Sequence, residues 1–352
     1  MTARRTRRAL AFLFCASWAF ASASAQTPPA PATPALARWL DVQALAITSR
    51  YRLIETTAGE VVSSAMQLQP NIRVRLKADR AGRLSLHIGT FGGNTFASSW
   101  MNTGIGPAPW DGHLWVKQFY VALQPARGIE VQGGSLYFLR GEHTEITSYD
   151  NDGYLTGARV LVRQPGALWV DEVALTRAWL GDFTNPNAFP RLARIGEGNY
   201  QQALVSKRLG HDVALSADFT RDRATDTWRE AIAFQPRKGR IITQARVELY
   251  QRVAPTSATG FGLVGERRVT SKMTLGLGWA SIDRAFGGLN GDRYNRGRRW
   301  FAQGSYQLPA DLSFSWFYTQ AVRTPYAVSN AHRTDVLLSW NALGLLRRHH
   351  VF

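Results

Sequence analysis

The sequence predicts an all-β protein, a transmembrane antiparallel β-barrel of about 16 strands with short periplasmic turns and longer extracellular loops. Three observations predict it: apolar and polar residues alternate with period two along most of the chain, the connections alternate between short and long, and the chain opens on an export signal. Its 352 residues carry a formal charge of +17 and a single Cys, which excludes a disulfide scaffold. Beyond the first 25 residues there is no apolar run near the roughly 20 residues that a spanning helix needs.

The first segment, 1–25, reads as a signal peptide. Arg4, Arg5, Arg7 and Arg8 precede an apolar stretch from Ala9 to Ala21, and Ala23-Ser24-Ala25 supplies the small-x-small cleavage pattern. Phe14 before Cys15 speaks against a lipoprotein. Cleavage leaves 327 residues, and with four arginines and the only Cys removed the exported chain carries +13. Residues 26–40 form a Pro/Ala-rich lead in the periplasm, with Pro28, Pro29, Pro31 and Pro34 unable to pair in a sheet.

The barrel is expected over 41–352. In 66–78 Met66, Leu68, Ile72, Val74, Leu76 and Ala78 alternate with Gln67, Gln69, Asn71, Arg73, Arg75 and Lys77, a strand with one oily and one charged face. The pattern recurs in Leu84, Leu86, Ile88; in Val213, Leu215, Ala217, Phe219; in Ala245, Val247, Leu249; and on to Val336, Leu338, Trp340, whose parity Phe352 keeps. One series of connections is short, from 79–82 through 125–128 to 309–310. The other is mostly long, at 55–65, 91–112, 141–153, 180–198, 254–260, 284–298 and 322–333, with a short exception near 222–226. Such asymmetry distinguishes a membrane barrel from a soluble sandwich.

The charged face must look into a wide lumen, because an arginine facing hydrocarbon at the midplane costs about 2–4 kcal/mol. That argument places Arg73, Arg75 and Lys77 in the pore, with Arg83 on the next strand and Arg159, Arg163, Arg229, Arg246, Arg252 and Arg299 elsewhere. A guanidinium ladder in water favours anions. The alternative is that these arginines pair with lumen acids such as Glu130 and Glu248. Trp228, Trp279, Trp300, Trp316, Tyr318 and Trp340 fall on the oily face, whereas Tyr120, Tyr250 and Phe317 fall inside, where sugars could stack. Ser85 and His87 share a strand face without a fixed acid partner, no metal-ligand spacing occurs, and neither a cofactor nor enzymatic activity is expected.

The signal, the alternation, the aromatics near strand ends and the terminal Phe352 together resemble a Gram-negative outer-membrane barrel of the porin type, over essentially the whole exported chain. Segment 115–138 is also similar to a hairpin of alginate-export porins, with Gly133-Gly134-Ser135 where those carry Gly-Arg-Gln. The resemblance implies a passive channel for small hydrophilic solutes, or else an exporter or adaptor for an acidic polysaccharide. It further implies that the third long loop folds inward as a constriction, setting Glu142, Glu145, Asp150 and Asp152 against the arginines of 66–78. The partners expected are outer-membrane lipid and lipopolysaccharide, which the basic loop 284–298 would touch, small anionic solutes and the barrel-assembly machinery. A homotrimer is admitted as the assembly, and no nucleic acid is expected.

Overall fold

The computed structural model describes residues 38–90, 98–100, 107–111, 114–142, 155–164, 169–181, 187–236, 241–283, 297–323 and 331–348. The segment 1–25 expected to be a signal peptide and most of the Pro/Ala-rich lead therefore lie outside the described residues, and the first strand begins at Leu40.

The strands are β1 (Leu40–Glu55), β2 (Val61–Lys77), β3 (Leu84–Thr90), β4 (Ser98–Trp100), β5 (Pro107–Asp111), β6 (Gln118–Ala126), β7 (Ile129–Leu136), β8 (Leu155–Arg163) and β9 (Glu172–Leu180). They continue as β10 (Tyr200–Leu209), β11 (Val213–Asp222), β12 (Thr225–Phe234), β13 (Gln244–Ala254), β14 (Ala258–Arg268), β15 (Met273–Ile282), β16 (Gly297–Gln307), β17 (Leu312–Arg323) and β18 (His332–Asn341). Sixteen of them form one antiparallel ring, which closes where β18 pairs with β1 from Ala46↔Asn341 to Glu55↔His332. The remaining two, β4 and β5, make a small hairpin attached to β2, while β3 pairs directly with β6. Closure matters energetically, since it removes the unpaired edge that hydrocarbon would not tolerate.

Burial follows the period of two. On β2 Ser63, Ala65, Gln67 and Gln69 point inward at 1–4 % exposure, whereas Met66 between them is 49 % exposed on the outside. The outer wall is apolar around the ring, as at Leu175, Ile232, Leu249, Leu263 and Leu277. Trp228 packs on Phe219, and Trp300 on Tyr318, on that same face. Inside, Tyr250 and Phe301 lie flat over Gly260 and Gly278 of adjacent strands, where any side chain would collide with the rings. The two glycines let the aromatics lie along the wall instead of projecting into the bore.

One rim carries the short turns, whereas the other carries the long loops together with a two-residue turn at 223–224. The two-residue turn Arg127-Gly128 and the three-residue turn 210–212 use glycines at φ 78 and 69, in the left-handed region that such tight reversals require. Three expectations need correction. The connections expected over 55–65 and 254–260 are shorter, at 56–60 and 255–257, because the ladder runs further than the apolar alternation. Arg83 is an exposed residue of the turn before β3, not a member of that strand. The last strand stops at Asn341 and a helix, α2 (Ala342–Arg348), follows, so the parity extended to Phe352 does not apply; Phe352 itself lies outside the described residues. This helix is tied to the short-turn rim by Arg348 on Asp311 at 2.5 Å and by Arg347 donating to the Val42 carbonyl.

Candidate functional site: the inner wall and its cations

Register places every strand cation named from the sequence on the inside. Arg159 pairs across from Gln132 and Thr176, Arg229 from Asp218, and Arg299 from Ala321. Their depths differ. Arg159, Arg229 and Arg299 are 0–2 % exposed, but Arg73, Arg75, Lys77, Arg246 and Arg252 retain solvent contact, and the Arg163 side chain is 44 % exposed.

The buried group is bonded into the wall. Arg229 makes a two-point ion pair with Asp218, at 2.5 and 2.9 Å, and also donates to Thr220. Arg159 donates to Thr176, to Gln132 and to the Tyr137 carbonyl. Glu130, one of the acids expected to neutralise the arginines, instead accepts from Gln124 and Gln132. The sequence reading passed over Arg50, Arg52 and Arg333. All three are buried on the inner wall, with Asp335 between Arg52 at 3.0 Å and Arg333 at 2.5 Å. Parity alone would have found Arg333, since Val336, Leu338 and Trp340 facing lipid forces Arg333 and Asp335 inward.

The partly exposed cations lie mostly toward the short-turn mouth. Arg73, Arg75 and Lys77 occupy successive inward positions at the end of β2, and their partners on β3 are Gly89, His87 and Ser85, none of them acidic. On the other flank Asp41 stands opposite Arg75. Arg75 donates to the Gly82 carbonyl at 2.6 Å, which anchors the guanidinium over the turn. Arg163 pairs with Glu172 at 3.2 Å. His87 bonds Ser85 at 3.1 Å and stacks on Tyr120 with ring centroids 4.6 Å apart. Tyr120, Tyr250 and Phe317 do face inward but are buried at 1–7 %, so they form the wall rather than open stacking platforms.

After β7 the chain turns inward. Segment 137–142 crosses β8 to β11 along the inner wall: the Tyr137 carbonyl accepts from Arg159, the Leu139 carbonyl from Gln202, and the Glu142 amide donates to Ser216 at 2.8 Å. Glu142 thereby sits against β11, on the far side of the ring from β2. Glu145, Asp150 and Asp152 lie outside the described residues, as does most of the basic loop 284–298. The next loop behaves differently. Its short helix α1 (Ala188–Arg191) covers the outer wall, with Phe189 on Phe119 and the Ala188 carbonyl above Ser135. Among the described residues no cluster of three metal-ligating side chains occurs.

At the short-turn rim the acids are held by structure. Asp79 accepts from the amides of Leu84 and Arg83, Asp171 from the Arg208 amide and Lys207, and Asp311 from Arg348. Those bonds lower each carboxyl below the ordinary aspartate value.

No family model matches the chain, and no curated protein matches it. Solved structures do. Salmonella typhi OmpF, in complex with daunomycin, superposes with a TM-score of 0.54 at 10 % identity, over 86 % of this chain and 97 % of that one. A mutant of the Rh. blastica porin gives 0.51 at 12 % identity, over 86 % of this chain and 99 % of the other. The chain has the porin barrel fold.

Proposed function

We propose that this chain is an integral outer-membrane channel through which small hydrophilic solutes diffuse, with anions favoured. The outer-membrane location follows from the porin barrel with its apolar outer wall, and the channel from its polar inner wall. The observation that supports the anion preference is the run Arg73, Arg75 and Lys77 on β2, partly exposed, with β3 carrying no acid beside it. Fixed cations in a narrow aqueous path raise the local anion concentration, and guanidiniums stay charged at any working pH. The buried arginines play a different part, since Arg229 with Asp218 and Arg52 and Arg333 with Asp335 are ion pairs that hold the wall.

Homotrimeric assembly and contact of the long loops with lipopolysaccharide belong to the same reading. Passage of an acidic polysaccharide is a second one, favoured by the way segment 137–142 narrows the bore on the β8–β11 side. Planar-bilayer recording separates them. A diffusion channel gives steady conductance and a reversal potential on the anion side under a KCl gradient, whereas an exporter gives little basal conductance and blocks on addition of polymer. Cation selectivity of the unmodified protein would overturn the anion preference.

A further inference from the structure

Among the described residues, the fully exposed charges of the short-turn rim are of one sign. Arg80, Arg127, Arg208, Arg267, Arg268 and Lys272 are exposed in or beside four of the turns at that rim, 78–83, 127–128, 210–212 and 269–272. Its turn acids Asp79, Asp171 and Asp311 are engaged with backbone amides or with a neighbouring cation, as described above, and Asp212 is partly buried. The long-loop rim is mixed by comparison, exposing Glu60, Glu197 and Asp283 as well as Arg194, Arg223 and Arg298. Apolar side chains stand among the short-turn cations: Trp169 is 89 % exposed, Ile241 72 %, Leu209 50 % and Val269 47 %. Exposed apolar groups beside long cationic ones match a bilayer boundary, where the former enter the acyl region and the latter reach the phosphates.

We propose that the short-turn rim is a docking collar for the anionic phospholipid headgroups of the leaflet it faces. The charge complementarity carries the partner. Exposed Arg and Lys on four turns attract a surface of phosphodiesters, and the apolar residues near them select a lipid surface over a soluble anion, which offers them nothing. The collar rests on the turn cations and on the outward Arg267, with Arg208 and Arg268 at inward positions of the barrel end, and it stands apart from the β2 cations that carry the anion preference of the pore.

The test uses the full exported chain, refolded in a neutral detergent and mixed with phosphatidylglycerol and phosphatidylcholine of identical acyl chains, with bound lipid read by native mass spectrometry. The collar predicts that phosphatidylglycerol is retained over phosphatidylcholine by roughly tenfold, an advantage that shrinks as salt shortens the screening length. The combined variant Arg80→Gln, Arg127→Gln, Arg267→Gln and Lys272→Gln should lose most of that advantage while keeping the heat-modifiable gel shift of a folded barrel. Arg194→Gln with Arg298→Gln, at the opposite rim, should keep it. Equal retention of the two lipids, an unchanged preference in the four-site variant, or displacement of the lipid by an equal concentration of inorganic phosphate would overturn the proposal.

Discussion

Two sets of arginines share the inner wall and differ in depth. On β2 Arg73 and Arg75 keep solvent contact near the short-turn mouth; on β12 and β18 Arg229 and Arg333 are 2 % exposed and bonded to Asp218 and Asp335. The difference teaches that facing the lumen is not the same as acting on a solute. A cation reaches ions in transit only where neither a carboxylate nor a crossing segment has already satisfied it.

The largest effect expected from this comparison is structural. Asp218→Asn would weaken the carboxylate contact that holds the buried Arg229 guanidinium at two points, and breaking a buried pair from one side costs about 3–5 kcal/mol. The urea midpoint of the folded barrel in detergent should fall accordingly, while removing both members together (Asp218→Leu with Arg229→Met) should restore most of it. A midpoint unchanged by Asp218→Asn would remove the distinction between the two sets.

A smaller effect is expected at the crossing segment. Ser216→Ala removes the acceptor of the Glu142 amide, a bond worth about 1 kcal/mol. The segment should loosen from β11 and single-channel conductance should rise, with the urea midpoint almost unmoved.

Acid should act on the short-turn rim. The carboxyls of Asp79, Asp171 and Asp311 are held below the usual value by their bonds, so their contribution is complete above about pH 4 and declines as pH falls toward the lowered values. Proteolytic nicking near residues 79–83 should therefore increase only on acidification below that point. Asp79→Asn should be nicked at neutral pH and lose the acid dependence at that turn.

The mildest test reports register without disturbing anything. Cysteine placed at 73 should react with a water-borne thiol reagent, and cysteine at 74 should be shielded by lipid. Reversed labelling would mean a slip of one residue, which exchanges the two faces of the strand.

Much of the ring was legible in the sequence because alternation is a direct consequence of a wall with oil on one side and water on the other. The sixteen strands and the inward parity of Arg159 and Arg229 follow from it. Depth was not legible. Arg159 and Arg163 lie four residues apart on one strand face, yet segment 137–142 covers the first and leaves the second 44 % exposed, and nothing in local periodicity reports a segment arriving from elsewhere. The end of the barrel was hidden for another reason: Ala342-Leu343-Gly344-Leu345-Leu346 is apolar without alternation, and it folds as a helix under the rim. Arg83 shows the same limit, since its parity is right while the Asp79 carboxylate holds its amide in the turn.

The central claim is that the solvated cations of β2 set ion preference and the buried arginines do not. The most direct measurement is the reversal potential under a KCl gradient for the unmodified channel and for Arg73→Glu with Arg75→Glu, each at low and at high salt. The account predicts an anion-side potential for the former and a shift toward the cation side for the latter. That shift should be large at 0.01 M, where the screening length is about 30 Å, and much reduced at 0.1 M, where it is about 10 Å. An identical reversal potential for the two proteins at low salt would contradict it.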